Sequence, residues 1–144
     1  IPTLVRWYNY GNCGIQKLNN KERKIRAFYK KVLRLCNGEK AISEGAFFDL
    51  MYVNYHNLNP NKQYLYLRHY ENETLLIAVN FDSQDATVYA DIPQHAFDFL
   101  KIDSGTYFMK ELISGKQKTV EFSSNAKFEL HIPAHNGVVW KIVK

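Results

Sequence analysis

From about Ala46 to the end of the chain, apolar and polar residues alternate with a period of two, the spacing of a strand with one dry and one wet face. Phe128, Leu130 and Ile132 alternate with Lys127, Glu129 and His131, and Val138, Trp140 and Ile142 are interleaved with Val139, Lys141 and Val143. The run Leu75-Leu76-Ile77-Ala78-Val79 is apolar throughout and reads as a central strand covered on both faces. Turn-forming clusters separate the runs: Asn59-Pro60-Asn61, Glu71-Asn72-Glu73, Asp82-Ser83-Gln84-Asp85, Ser114-Gly115-Lys116 and His135-Asn136-Gly137. The pattern predicts strands over 46–55, 63–70, 74–81, 86–92, 106–113, 117–122, 126–132 and 137–143, and leaves 95–101 unassigned. With no helix between them these strands cannot be parallel neighbours, which need long crossovers. The expected fold is mainly β: an antiparallel, Greek-key-type β-sandwich preceded by one amphipathic α-helix.

That helix is predicted over 21–37. Ile25, Phe28, Tyr29, Val32, Leu33 and Cys36 recur at helical spacing, and Lys24, Lys30, Lys31 and Arg34 fill the other side. Asn19 or Asn20 is placed to accept hydrogen bonds from the first free N–H groups, and Gly38 to end the helix in a left-handed conformation. Cys36 reads as a core residue. Residues 1–18 carry Trp7, Tyr8 and Tyr10 among Asn and Gly, follow neither period, and read as irregular.

Composition changes this picture little. A chain of 144 residues is long enough to form one domain without staples. An aromatic share of 15% leans toward strands and toward sugar-facing surfaces. The net charge of +5 is concentrated around the helix, in Lys17, Lys21, Arg23, Lys24, Arg26, Lys30, Lys31 and Arg34. Such a run is expected to be a solvated helix face, so no nucleic-acid partner is expected. Cys13 and Cys36 are too few for a disulfide framework and lack metal-ligand spacing. No apolar stretch is long enough to span a membrane, and none is expected as a partner. The start at Ile1-Pro2, without Met, is expected to be a cut within a longer protein, so the compartment is left unassigned.

Candidate chemistry is sparse. Glycoside hydrolysis needs two carboxyl groups facing each other across a cleft, whereas Asp82 and Asp85 share a turn in which Asp bonds its own backbone, as do Glu71 and Glu73. His131 and His135 have a spacing that suits zinc on a helix, but Pro133 intervenes and the flanks read as strand. His56, His69 and His95 are isolated, and neither a G-x-S-x-G elbow nor a phosphate-cradling Gly loop occurs. No catalytic, cofactor-binding or metal-binding residue is expected, and no cofactor.

The segment Arg26-Ala27-Phe28-Tyr29-Lys30-Lys31-Val32-Leu33-Arg34-Leu35-Cys36, followed by Ala41-Ile42-Ser43-Glu44-Gly45-Ala46-Phe47, resembles the last barrel helix of the α-amylase family (glycoside hydrolase family 13) and the opening of its C-terminal β-domain. Tyr66-Leu67-Arg68-His69-Tyr70 with Leu75-Leu76-Ile77-Ala78-Val79-Asn80-Phe81 resembles that domain's paired strands. Glu111-Leu112-Ile113-Ser114-Gly115-Lys116 is similar to its late hairpin, and Leu130-His131-Ile132-Pro133-Ala134-His135-Asn136-Gly137-Val138-Val139-Trp140 to its closing strand pair. The likeness covers about residues 20–144 and implies an organisation. Residues 1–18 would be an irregular remnant of the preceding barrel, 19–45 the last barrel-type helix and linker, and 46–144 a C-terminal β-sandwich.

The resemblance further implies a parent that is an α-glucan glycoside hydrolase whose catalytic carboxylates lie upstream of Ile1, on a (β/α)₈ barrel that would be this chain's partner. The role expected for the sandwich is to stabilise that barrel, with weak α-glucan binding as the alternative. Trp7, Tyr8 and Tyr10 are candidates for carbohydrate or barrel contact, because a sugar ring stacks its C–H face on aromatic rings. Tyr64, Tyr66 and Tyr89 are further sugar-facing candidates on strand faces, and Trp140 reads as core. Cut from its barrel, the helical segment would expose apolar surface and favour self-association.

Overall fold

A computed structural model describes residue 8 and residues 14–124 and 126–144. The chain divides into two compact units, Ile1–Gly38 and Glu39–Lys144. In the first unit, helix α1 runs from Asn20 to Gly38. Its start is a reciprocal capping box: Glu22 N–H donates to Asn19 Oδ1 and Asn19 N–H to Glu22 Oε2, both at 2.9 Å. Arg23 Nε adds a bond to the Leu18 carbonyl at 2.8 Å, which ties the first turn to the chain ahead of it. Two expectations fail here. Gly38 does not adopt a positive φ; the left-handed glycines among the described residues are Gly105 and Gly115, and Gly38 is the helix's own last residue. Cys36 is half-buried rather than core, and none of the helix's residues is buried. Its apolar stripe keeps Ile25, Tyr29 and Leu33 exposed.

The second unit holds a six-stranded antiparallel sheet and a two-stranded one. The strands are β1 (Ala46–Asp49), β2 (Gln63–Tyr70), β3 (Glu73–Asn80), β4 (Ala86–Asp91), β5 (Gly105–Glu111), β6 (Gln117–Phe122), β7 (Lys127–Ile132) and β8 (Asn136–Val143). The larger sheet runs β1-β2-β3-β8-β5-β6 and the smaller pairs β4 with β7, so the chain leaves the large sheet after β3 for β4, returns as β5 and β6, leaves again for β7 and re-enters as β8 between β3 and β5. The expected mainly-β antiparallel sandwich is what forms. Strand β3 lies inside the sheet and buries Leu75, Leu76, Ile77 and Ala78 in succession, as its unbroken apolar run requires.

One core fills the space between the sheets. Leu65, Leu67, Leu76, Met109, Trp140 and Ile142 point in from the large sheet, and Val88, Ala90, Phe128, Leu130 and Ile132 meet them from the small one. Each fully buried aliphatic chain in such a core contributes roughly 1.5–3 kcal/mol. Phe122 sits at its centre, with ring centroids 5.1 to 5.6 Å from Phe97, Phe128 and Tyr107.

Short helices interrupt the strands, contrary to the expectation that none would. The strand expected over 46–55 stops at Asp49, whose carboxylate accepts the Met51 N–H at 2.8 Å and turns the chain into helix α3 (Met51–Asn54). Leu50 and Met51 are both buried, which no strand facing water on one side permits. Asn54 fixes α3: its side chain donates to the carbonyls of Leu50 and Asp91 and accepts the Asp91 N–H. Residues left unassigned form α4 (Gln94–Leu100), which buries Ala96, Phe97 and Leu100 and ends at Lys101 with φ 57°. Helix α2 (Lys40–Ser43) precedes β1. Gly45 follows it where a side chain would collide with the carbonyls of Ala41 and His69, at 2.4 and 2.7 Å from a Cβ.

Candidate functional site

The strand register places a second apolar layer on the outward face of the six-stranded sheet. Arg68, Leu75 and Lys141 form one row across β2, β3 and β8; Tyr66, Ile77 and Val139 form the next; Tyr64, Val79 and Gly137 the third. Leu75 and Ile77 are buried there together with Ala41 of α2, and Ile42, Tyr66, Tyr70, Val79, Leu112 and Val139 pack around them. This face is therefore far less polar than the wet side of an ordinary two-layer sandwich.

Charged groups clip α2 to one end of the face. Arg68 donates to the Ala41 and Ile42 carbonyls at 2.8 and 2.6 Å, meeting orphan carbonyls of a short helix. Glu73 accepts the Ala41 N–H at 3.0 Å, and the Lys141 ammonium bridges Glu39 at 2.6 Å and Glu73 at 3.1 Å. Burial works against the Lys141 charge, but the hydrogen bonds to Glu39 and Glu73 outweigh it and hold the group above the ordinary lysine value.

At the other end, Phe47, Tyr66 and Tyr64 make an aromatic row, with ring centroids 5.4 and 5.6 Å apart. Burial, foremost, and the nearby Asp49 carboxylate push the Tyr64 hydroxyl pKa upward. Of the aromatics nominated from the sequence, Tyr64 and Tyr66 thus come together. Tyr89 lies on β4 of the other sheet and is exposed. Trp7 and Tyr10 lie outside the described residues; Tyr8 is exposed. Sequence reasoning missed a separate group in which Phe48 contacts Tyr52, His95 and Phe99, because it depends on the two short helices.

Asp82, Asp85, His69 and His131, weighed from the sequence, have individual structural partners. Asp82 accepts the Ser83 N–H at 2.7 Å and pairs with Lys62 at 2.8 Å; that side-chain bond, foremost, lowers its pKa. Asp85 accepts the Ala134 N–H at 2.8 Å and lies 3.5 Å from His131 Nε2. Burial lowers the pKa of His69, whose Nδ1 meets the Thr74 hydroxyl at 2.9 Å. Among the described residues no three His, Cys, Asp or Glu side chains converge as a metal site would require, and no helix is long and apolar enough to cross a membrane.

A groove of about 540 Å³ opens beside β6, β7 and β8. Lys118 and Trp140 line it, the ammonium 4.8 Å from the centroid of the indole ring. Desolvation lowers the Lys118 pKa against the opposing pull of Glu129.

Comparison with known proteins places this architecture. No protein-family model and no curated protein sequence matches the chain. Solved structures match it in fold. An α-amylase from Anoxybacillus aligns with 81% of this chain at 19% identity and a TM-score of 0.56, over 22% of its own length. The protein AmyP, in complex with maltotriose, aligns with 92% of the chain at 14% identity and a TM-score of 0.65, over 24% of its length. Isomaltulose synthase from Klebsiella sp. LX3 aligns with 93% at 22% identity and a TM-score of 0.55, over 20% of its length. The chain thus spans between a fifth and a quarter of these enzymes. What it shares with them is the fold, the one that the resemblance read in the sequence implies.

Proposed function

We propose that this chain is the non-catalytic C-terminal β-sandwich region of an α-amylase-like glycoside hydrolase acting on α-glucans, and that it stabilises the catalytic (β/α)₈ barrel. In this reading residues 1–18 are the end of the barrel, 19–45 its last helix and a linker, and 46–144 the sandwich. The observation that carries it is the proportion of the fold match, most of this chain against about a fifth of each enzyme. The outward face of the large sheet supports it, since beside the buried Leu75 and Ile77 it keeps Phe47 and Tyr64 exposed, apolar surface that a neighbouring domain would cover. Tyr8, with Trp7 and Tyr10, would face the barrel or its substrate.

The test is reducing-end release from starch and maltoheptaose by the purified chain. No turnover is expected. Hydrolysis that co-elutes with the chain through successive columns would overturn the reading. Weak α-glucan binding is the second reading, favoured by the accessible Phe47, Tyr66 and Tyr64 row.

A further inference from the structure

The chain contains two Asn-Gly pairs, Asn37-Gly38 and Asn136-Gly137. Asparagine is among the thermally labile residues, because the backbone nitrogen that follows it can attack its side-chain amide; glycine, with no Cβ, leaves that nitrogen unhindered. The fold treats the two pairs differently. Asn37 and Gly38 are the last residues of α1, where the helical backbone commits the Gly38 N–H to a carbonyl four residues back. Asn136 opens β8, and its Oδ1 accepts the Gly137 N–H at 2.8 Å. The side-chain carbonyl carbon, one bond behind Oδ1, is thereby held beside the nitrogen that would attack it.

The sheet explains why that N–H is available. Successive residues of a strand turn their N–H and C=O groups to alternate neighbours. Val139 directs both toward the β5 side, donating to Glu111 Oε1 at 3.0 Å and accepting the Leu112 N–H at 2.8 Å. Gly137, two residues earlier, faces the same way. β5 pairs with β8 over Trp140–Val143, so that ladder has ended before Gly137 is reached, and the Asn136 side chain takes the N–H instead. Both residues are half-buried and line the groove beside β6, β7 and β8, which gives water access. Asp82 makes the same contact with the Ser83 N–H at 2.7 Å. Its carboxyl, however, is kept ionised by Lys62, and a carboxylate resists nucleophilic attack, whereas Asn136 offers a neutral amide.

We propose that Asn136 is a site of spontaneous deamidation in the folded chain. The Gly137 nitrogen loses its proton to water and bonds to Asn136 Cγ, the bond from Cγ to the side-chain nitrogen breaks, and that nitrogen leaves with the proton as ammonia. Water then opens the succinimide ring at one carbonyl to give aspartate, or at the other to give isoaspartate. Either product adds a negative charge to a groove already lined by Glu111 and Glu129. Isoaspartate also lengthens the backbone by a methylene where β8 begins to pair with Asn80, which disturbs the register of a central strand.

The test incubates the purified chain in mildly alkaline buffer, folded and in urea, and follows each Asn-Gly peptide by mass and by isoaspartate content. In urea both pairs should convert at similar rates. In the folded chain Asn136 is expected to convert several-fold faster than Asn37, and the urea transition of the aged protein to move to lower denaturant. Asn136→Gln, whose longer side chain must close a larger ring, should stop the conversion and the shift together. Conversion at Asn37 as fast as at Asn136 in the folded chain, or an Asn136 that converts in urea alone, would overturn the proposal.

Discussion

Glu111 is the buried charge on which the end of the β5–β6 hairpin depends. The residue is 2% exposed, and its carboxylate serves three backbone donors, two in the turn between β5 and β6 and one on β8. Oε1 accepts the Ile113 N–H at 3.1 Å and the Val139 N–H at 3.0 Å, and Oε2 accepts the Ser114 N–H. Glu111→Gln keeps the shape but turns one oxygen into an amide N–H₂. If the remaining oxygen stays with Ile113 and Val139, the new donor faces Ser114 N–H, donor against donor. Hydrogen bonds to a charged acceptor are worth about 1.5–3 kcal/mol each, so the substitution should cost about 3 kcal/mol at pH 7. Urea unfolding followed by circular dichroism measures it.

The same pair of proteins gives a second readout. Burial raises the Glu111 pKa, but the bonds from Ser114, Val139 and Ile113 outweigh it and hold the group below the ordinary glutamate value of 4.5. A depressed carboxylate contributes stability that is complete above its unfolded pKa and is lost as pH falls through the folded one. The gap between native and Gln proteins should therefore be full at neutral pH and narrow progressively below about pH 4.5. A loss under about 1 kcal/mol at pH 7, or a gap that stays constant into acid, would refute the assignment.

Asn80 joins the two sheets, accepting from Gln63 Nε2 and the Asp82 N–H and donating to the Gln84 and Ile132 carbonyls. Asn80→Ala should cost about 3 kcal/mol in the same unfolding assay, with faster amide exchange at Asp82. Lys141→Met should cost about 1–2 kcal/mol through the lost bridge to Glu39 and Glu73. Because the Lys141 pKa is raised, its contribution is complete below the ordinary value of 10.5 and disappears as pH rises through the folded value; the Met variant should lack that alkaline loss in a pH series of melts. Exposed Ile25, Tyr29 and Leu33 on α1 should drive self-association visible in light scattering and relieved by Leu33→Lys, and a monodisperse native monomer would contradict it.

Much of the fold is legible in the sequence because strand alternation and turn residues are local signals. β2 and β6 fall at the expected residues, and the helix cap lies at Asn19, one of the two asparagines expected to supply it. Helix α3 was not, because Asp49 ends β1 through a side-chain bond while the apolar run continues past it. α4 hides for a related reason: seven residues are too short for a helical period to stand out.

The site residues are less legible than the elements. Lys141 meets Glu39 across 102 positions and Glu73 across 68, a proximity created by the return of β8 beside β3. Lys118 reaches Trp140 because β5 lies between β6 and β8 and carries both to the same face. Alternation assigns each side chain to one face or the other, whereas strand order decides its neighbours, and strand order is a long-range property.

The central claim is that the sandwich supports a catalytic barrel without taking part in turnover. Its most direct test is thermal inactivation of the proposed parent enzyme with and without residues 46–144, each followed by hydrolysis of maltoheptaose. The account predicts a shorter active half-life for the truncated enzyme and the same bond cleaved while activity lasts. Equal half-lives, or a truncated enzyme that is stable yet inert from the first minute, would contradict it.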